Sequence, residues 1–110
     1  MEEKEATPMM PVYQAEKIEE ELHDADAYIE LAMTWKSEEP ETADLFHALS
    51  LEEMGHVEKL HKEVADLIND YKQNDGEPPK EMLALYNYLH EKHVAEAMRI
   101  KVKQNMYKAE

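Results

Sequence analysis

Helix breakers are scarce in this chain, and their positions constrain its fold more than any other feature. Proline falls only at Pro8, Pro11, Pro40, Pro78 and Pro79, and glycine only at Gly55 and Gly76. Because proline lacks an N–H and clashes within a helix interior, these positions divide the chain into long uninterrupted stretches. Pro11 suits an opening helical turn, so a first helix is predicted over 11–37. Its apolar stripe is Ile18, Leu22, Ala25, Ile29 and Ala32, spaced alternately four and three residues, which traces one helical face. Ser37 to Thr42 forms the turn, and Pro40 is placed to start the next helix. That second helix is predicted over 41–72, through Phe46, Leu49, Leu60, Val64 and Leu67. Asn74-Asp75-Gly76-Glu77-Pro78-Pro79 is a stop signal. A third helix follows over 79–108, through Met82, Tyr86, Leu89, Ala97 and Ile100, while residues 1–10 are expected to be a flexible N-terminus. No strand alternation competes with this pattern, so the fold class is all-α, with a helical hairpin plus a third long helix in one domain.

The first two helices would be about 40–46 Å long at 1.5 Å per residue. Amphipathic helices of that length usually complete their burial in a bundle, and three of them cover one another only in part. The second helix also has another apolar row, Leu45, Ala48, Met54, Val57, Ala65 and Ile68. A helix with two apolar rows needs two partners, which predicts a homodimer or a larger homo-oligomer.

Composition removes several function classes. The chain has 26 acidic and 12 basic side chains, a formal net charge of −14, which argues against a phosphate-binding surface for nucleic acid. Mean hydropathy is −0.79, and no apolar run approaches the roughly 18 residues that span a bilayer. The start Met-Glu-Glu-Lys-Glu has no apolar segment of signal-peptide type after it. With no cysteine, disulfides, thiolate metal sites and thiol catalysis are excluded. No Ser–His–Asp arrangement, phosphate loop or nucleotide fingerprint is present. A cytoplasmic protein without nucleic-acid or membrane partners is expected. The charge is uneven: residues 1–79 hold 22 acids and 6 bases, and residues 80–110 hold 4 acids and 6 bases. An acidic block followed by a mildly basic segment suggests either pairing within the chain or an acidic surface left free for cations.

Ionisable residues interrupt the apolar stripes. Between Leu49 and Leu60, the second helix carries Glu53 and His56, an E-x-x-H pair whose side chains share one helical face and can grip one metal ion. Glu21 lies three residues after Ile18 and four before Ala25, on the inward side of the first helix. Burying carboxylates without a partner costs several kcal/mol, and a metal ion supplies the missing charge. Three E-x-x-H pairs occur: Glu20/His23, Glu53/His56 and Glu58/His61. Chance alone in a sequence this rich in Glu and His gives about one such pair at the i,i+3 spacing. Glu20 and Glu58 fall off the stripes and read as solvated, so position singles out Glu53 and His56. Glu20 stays open as an alternative to Glu21. Gly55, within the second helix, costs about 1 kcal/mol relative to alanine. Its presence reads either as close approach of a neighbouring helix or as a tolerated surface glycine.

Residues 16 to 68 resemble the ferritin-like superfamily, specifically bacterioferritins and rubrerythrins. The likeness rests on Glu21 followed seven residues later by Tyr28, and on Glu53-Met54-Gly55-His56 about 32 residues further along. The resemblance implies a carboxylate-bridged di-iron centre, with manganese the other metal suited to such oxygen and imidazole ligands. By that likeness Glu21 would be a terminal ligand, Glu53 a bridging carboxylate, His56 a nitrogen ligand, and Tyr28 a residue that orients a ligand. A complete ferritin-like bundle has a second glutamate and a second E-x-x-H on its third and fourth helices, whereas residues 80–110 make one helix and contain no E-x-x-H. A two-fold dimer would restore four carboxylates and two histidines, the inventory of a four-helix di-iron site. In size and in having one ligand set per chain, the sequence is similar to the small encapsulated ferritins. Its tail, Asn105-Met106-Tyr107-Lys108-Ala109-Glu110, has no apolar docking peptide of the kind their protein shells recognise.

Two function classes follow. One is an iron-binding protein that oxidises Fe(II) with O2, a ferroxidase. The other is a non-catalytic helical oligomerisation protein, in which the Glu/His trio is a buried polar network that fixes register. His93 and Glu96 are candidate extra ligands, though a structural role suits them better. Trp35 reads as core or interface, the methionines as packing groups, and His47, His61 and His90 as solvent-facing or capping residues.

Overall fold

A computed structural model describes residues 10–109, with the side chains of residues 13–109. It contains three helices: α1 Met10–Trp35, α2 Pro40–Asp75 and α3 Lys80–Ala109. Among the described residues no strand occurs, and no helix there is long and apolar enough to cross a membrane. The boundaries differ slightly from those predicted. Helix α1 ends two residues early, at Trp35, and the backbone turns before Pro40, with Glu39 N–H donating to the Trp35 carbonyl at 2.8 Å. Pro40 opens α2, where its missing N–H costs nothing. Helix α2 runs three residues beyond the predicted end, to Asp75, and stops at Gly76, whose φ of 85° lies in the left-handed region that side chains disfavour. Helix α3 is displaced by one residue at each end. The flexible segment expected over 1–10 lies outside the described residues, apart from Met10, which is helical.

α1 and α2 form the main antiparallel hairpin, and α3 packs chiefly on α1, touching α2 little. The molecule measures 57 × 21 × 16 Å, with a radius of gyration of 17.1 Å. A compact chain of this length would be near 13 Å, and one helix with its side chains is about 10–12 Å across. The molecule is therefore elongated, and several large apolar side chains, Leu45 and Val102 among them, stay exposed.

The α1 stripe is buried as predicted: Ile18, Leu22, Ala25, Ile29 and Ala32 are each at most 3% exposed. On α3, Met82 and Ile100 are buried, with Tyr86, Leu89 and Ala97 half-buried. Helix α2 departs from expectation. Its best-covered row is Ala43, Ser50, Met54, Val57 and Val64, which takes Val64 from the predicted main row and Met54 and Val57 from the second, and lies between the two. Phe46, Leu49, Leu60 and Leu67 are only half-buried, and Leu45, Ala48 and Ala65 are exposed.

A polar bridge ties the three helices together. The Ser50 hydroxyl donates to the Ala25 carbonyl at 2.8 Å, and the Gln104 amide donates to Ser50 Oγ at 2.8 Å. Satisfying these groups removes the penalty of burying them. The mildly basic α3 pairs with acids of α1: Lys92 with Glu19 at 2.5 Å, and Lys103 with Asp26 at 2.8 Å and Glu30 at 2.6 Å. Pairing within the chain, one of the two alternatives raised by the charge distribution, thus accounts for part of the acidic block.

Candidate metal centre

On α1, burial of Ile18, Leu22 and Ala25 leaves Glu21 on the flank of the helix nearest α2. On α2, burial of Met54 and Val57 turns Glu53 and His56 to the same side. The three meet there. His56 Nδ1 lies 3.3 Å from Glu21 Oε2 and 3.5 Å from Glu53 Oε1. One ligand atom from each residue falls within 4.8 Å of the others, the single such grouping of three or more metal-binding side chains among the described residues. Donors sharing a first-row metal at about 2.1 Å lie at most about 4.2 Å apart, so both His56 separations fit one ion.

The two carboxylates are shielded, with side chains 14% and 17% exposed, whereas the His56 ring is 53% exposed. Shielded acids with an imidazole at the rim form a half-site that opens outward. A cleft of about 290 Å³ lies over it, lined by Lys17, Glu21, His56, Lys59 and Leu60.

The electrostatics follow from crowding. Glu53 is pushed up to about 7, first because in protonated form it hydrogen-bonds to the Glu21 carboxylate, then through burial and repulsion by Glu21. Glu21 is held low, first by accepting that hydrogen bond and then, against the opposing effect of burial, by His56 and Lys17. In effect the two carboxylates share one proton, as paired acids do when both cannot ionise. A divalent cation would take the place of that proton and stabilise both carboxylates in their charged form.

Glu21 rather than Glu20 enters the group; Glu20 is exposed. Tyr28 stacks on Phe46, ring centroids 6.2 Å apart, and makes no hydrogen bond to Glu21, Glu53 or His56. Neither His93 nor Glu96 joins the trio. His93 is buried beneath α3, and Glu96 lines a separate groove with Glu19, Lys92 and Arg99. A Cβ added at Gly55 would meet nothing within 4 Å, so no helix of this chain approaches it closely. Trp35, expected in a core or interface, is 40% exposed in the single chain.

Sequence reasoning missed a second cluster. His61, exposed as expected, and the half-buried His90 stack with centroids 4.7 Å apart, and His61 Nε2 lies 3.1 Å from His90 Nδ1. Their separation of 29 positions gives no periodic signal, because it depends on how α3 lies along α2.

Comparison with protein-family models, with curated proteins and with solved structures returns no match.

Proposed function

We propose that this chain is a ferritin-like iron-binding protein whose di-iron carboxylate centre forms between two copies, and that it oxidises Fe(II) with O2. The observation that carries the reading is the convergence of Glu21, Glu53 and His56 on a half-covered flank of the α1/α2 hairpin. Two oxygen donors and one imidazole suit iron or manganese, and they amount to half of a four-helix di-iron ligand set. A second copy placed across this flank in a homodimer would supply the other half and cover Leu49 and Leu60, completing a four-helix bundle. Iron in such a centre supplies one-electron redox chemistry. The chain's part is to hold the ions with Glu21, Glu53 and His56 and to shield them. The net charge of −14 favours the approach of cations.

A second reading has one observation in its favour. The trio has partners without a cation: His56 Nδ1 sits within reach of both carboxylates, and the raised pKa of Glu53 lets it keep a proton beside Glu21. A non-catalytic oligomerisation protein with a buried Glu/His network fits that arrangement.

Metal analysis after anaerobic Fe(II) loading separates the two. Close to one iron per chain is expected, with Glu53→Ala losing both iron and O2-dependent oxidation while Glu58→Ala keeps them. Wild-type protein that takes up no iron would leave the oligomerisation reading.

A further inference from the structure

Where α3 crosses α2, a cleft of about 330 Å³ is walled by Ile18 and Val57 and edged by Glu58, His61, His90 and His93. Three of the chain's six histidines line it, together with Lys101. His61 comes from α2, while His90 and His93 come from α3 at an i,i+3 spacing that puts them on one face. The His61 and His90 ring nitrogens converge to 3.1 Å, so in the metal-free chain one imidazole donates its proton to the other. Two imidazoles sharing a tetrahedral ion at 2.0–2.1 Å have nitrogens about 3.3 Å apart. The observed nitrogen–nitrogen separation is thus close to that of a metal-bound pair, and a modest turn of the two rings would aim both nitrogens at one ion. His93 adds an independent observation: it is 6% exposed, and its Nε2 is buried without a hydrogen-bond partner. A buried, unpaired imidazole nitrogen is a costly feature that a ligand would relieve.

We propose that this cleft is a second metal site, in which His61 Nε2 and His90 Nδ1 anchor a late first-row divalent ion such as Zn2+, and His93 rotates in as the third imidazole. Imidazole donors select zinc, copper and nickel, whereas the carboxylate-rich Glu21/Glu53/His56 group selects iron and manganese. Bound metal would clamp α3 to α2, the pair of helices that touch least. The site shares no residue with the proposed iron centre, so either proposal can fail alone.

The test is calorimetric titration with Zn2+ of the full chain carrying Glu21→Gln and Glu53→Gln, which disables the carboxylate centre. One Zn2+ per chain is expected, with a rise in Tm of at least about 5 °C at saturation. Adding His61→Gln and His90→Gln should weaken binding at least about 100-fold and abolish the Tm rise, with helicity by circular dichroism unchanged. His93→Gln should weaken it about tenfold, and His23→Gln, on the outer side of α1, should leave it intact. Absence of Zn2+ binding in the carboxylate-disabled chain would overturn the proposal. So would binding that survives loss of His61 and His90, and unchanged affinity in His93→Gln would remove the three-imidazole site.

Discussion

On one flank of α2, Ala43, Ser50, Met54, Val57 and Val64 are buried by the rest of the chain. On the neighbouring flank, Leu49, Glu53 and Leu60 are half-covered and His56 is exposed. The covered flank contains a polar residue, Ser50, yet each of its hydrogen-bonding needs is met within the chain. The open flank is as apolar in outline and holds two ionisable groups, Glu53 and His56, crowded by Glu21 of α1. A row that is apolar at its ends and ionisable at its centre, left half-covered by its own chain, is the face on which the proposed second copy would sit.

The sharpest way to break this comparison is to truncate one leucine on each side. Leu22→Ala, in the covered core, should cost about 2–5 kcal/mol in metal-free protein, as large-to-small changes at fully buried sites do. Leu60→Ala, on the open flank, should cost less than about 1.5 kcal/mol under the same conditions while lowering the fraction of dimer. Urea unfolding together with sedimentation measures both. Equal costs would mean that the two flanks are covered alike.

A smaller effect sharpens the account of the crowded acids. The folded-state pKa of Glu53 is raised from 4.5 to about 7, so its protonated form favours folding at low pH. That contribution is fully present below about 4.5 and is lost as pH rises through 7. Glu53→Gln imitates the protonated acid without titrating. In chelator-treated protein it should exceed wild type in stability by about 1–2 kcal/mol at pH 8, and the gain should vanish near pH 4.5. A gain independent of pH would show that the carboxylates do not share a proton.

How far the sequence discloses these flanks depends on what decides each residue's burial. The α1 stripe from Ile18 to Ala32 is legible because every member is apolar and the spacing alone defines the face. The covered row of α2 was hard to read because Ser50 interrupts it, and only the tertiary bonds to Ala25 and Gln104 make that burial acceptable. Periodicity therefore favoured the row through Leu49 and Leu60, which one chain leaves half-covered. Glu21, Glu53 and His56 were legible because carboxylates and imidazole interrupt apolar stripes at helical spacing. The His61–His90 contact was not, since it arises from the register of α3 on α2.

The smallest effect concerns Gly55. Open space surrounds its Cβ position, so Gly55→Ala should add about 0.5–1 kcal/mol to helix stability without changing dimer content, measured by urea unfolding and sedimentation. Loss of the dimer would instead place a second copy hard against this position.

The central claim is that two copies complete one metal centre across the open flank of α1 and α2. Anomalous diffraction at the iron edge from Fe(II)-soaked crystals tests it directly. The account predicts two iron peaks close to a two-fold axis, held by Glu21, Glu53 and His56 of both copies. Iron bound within one chain away from any partner, or no iron at these residues, would contradict it.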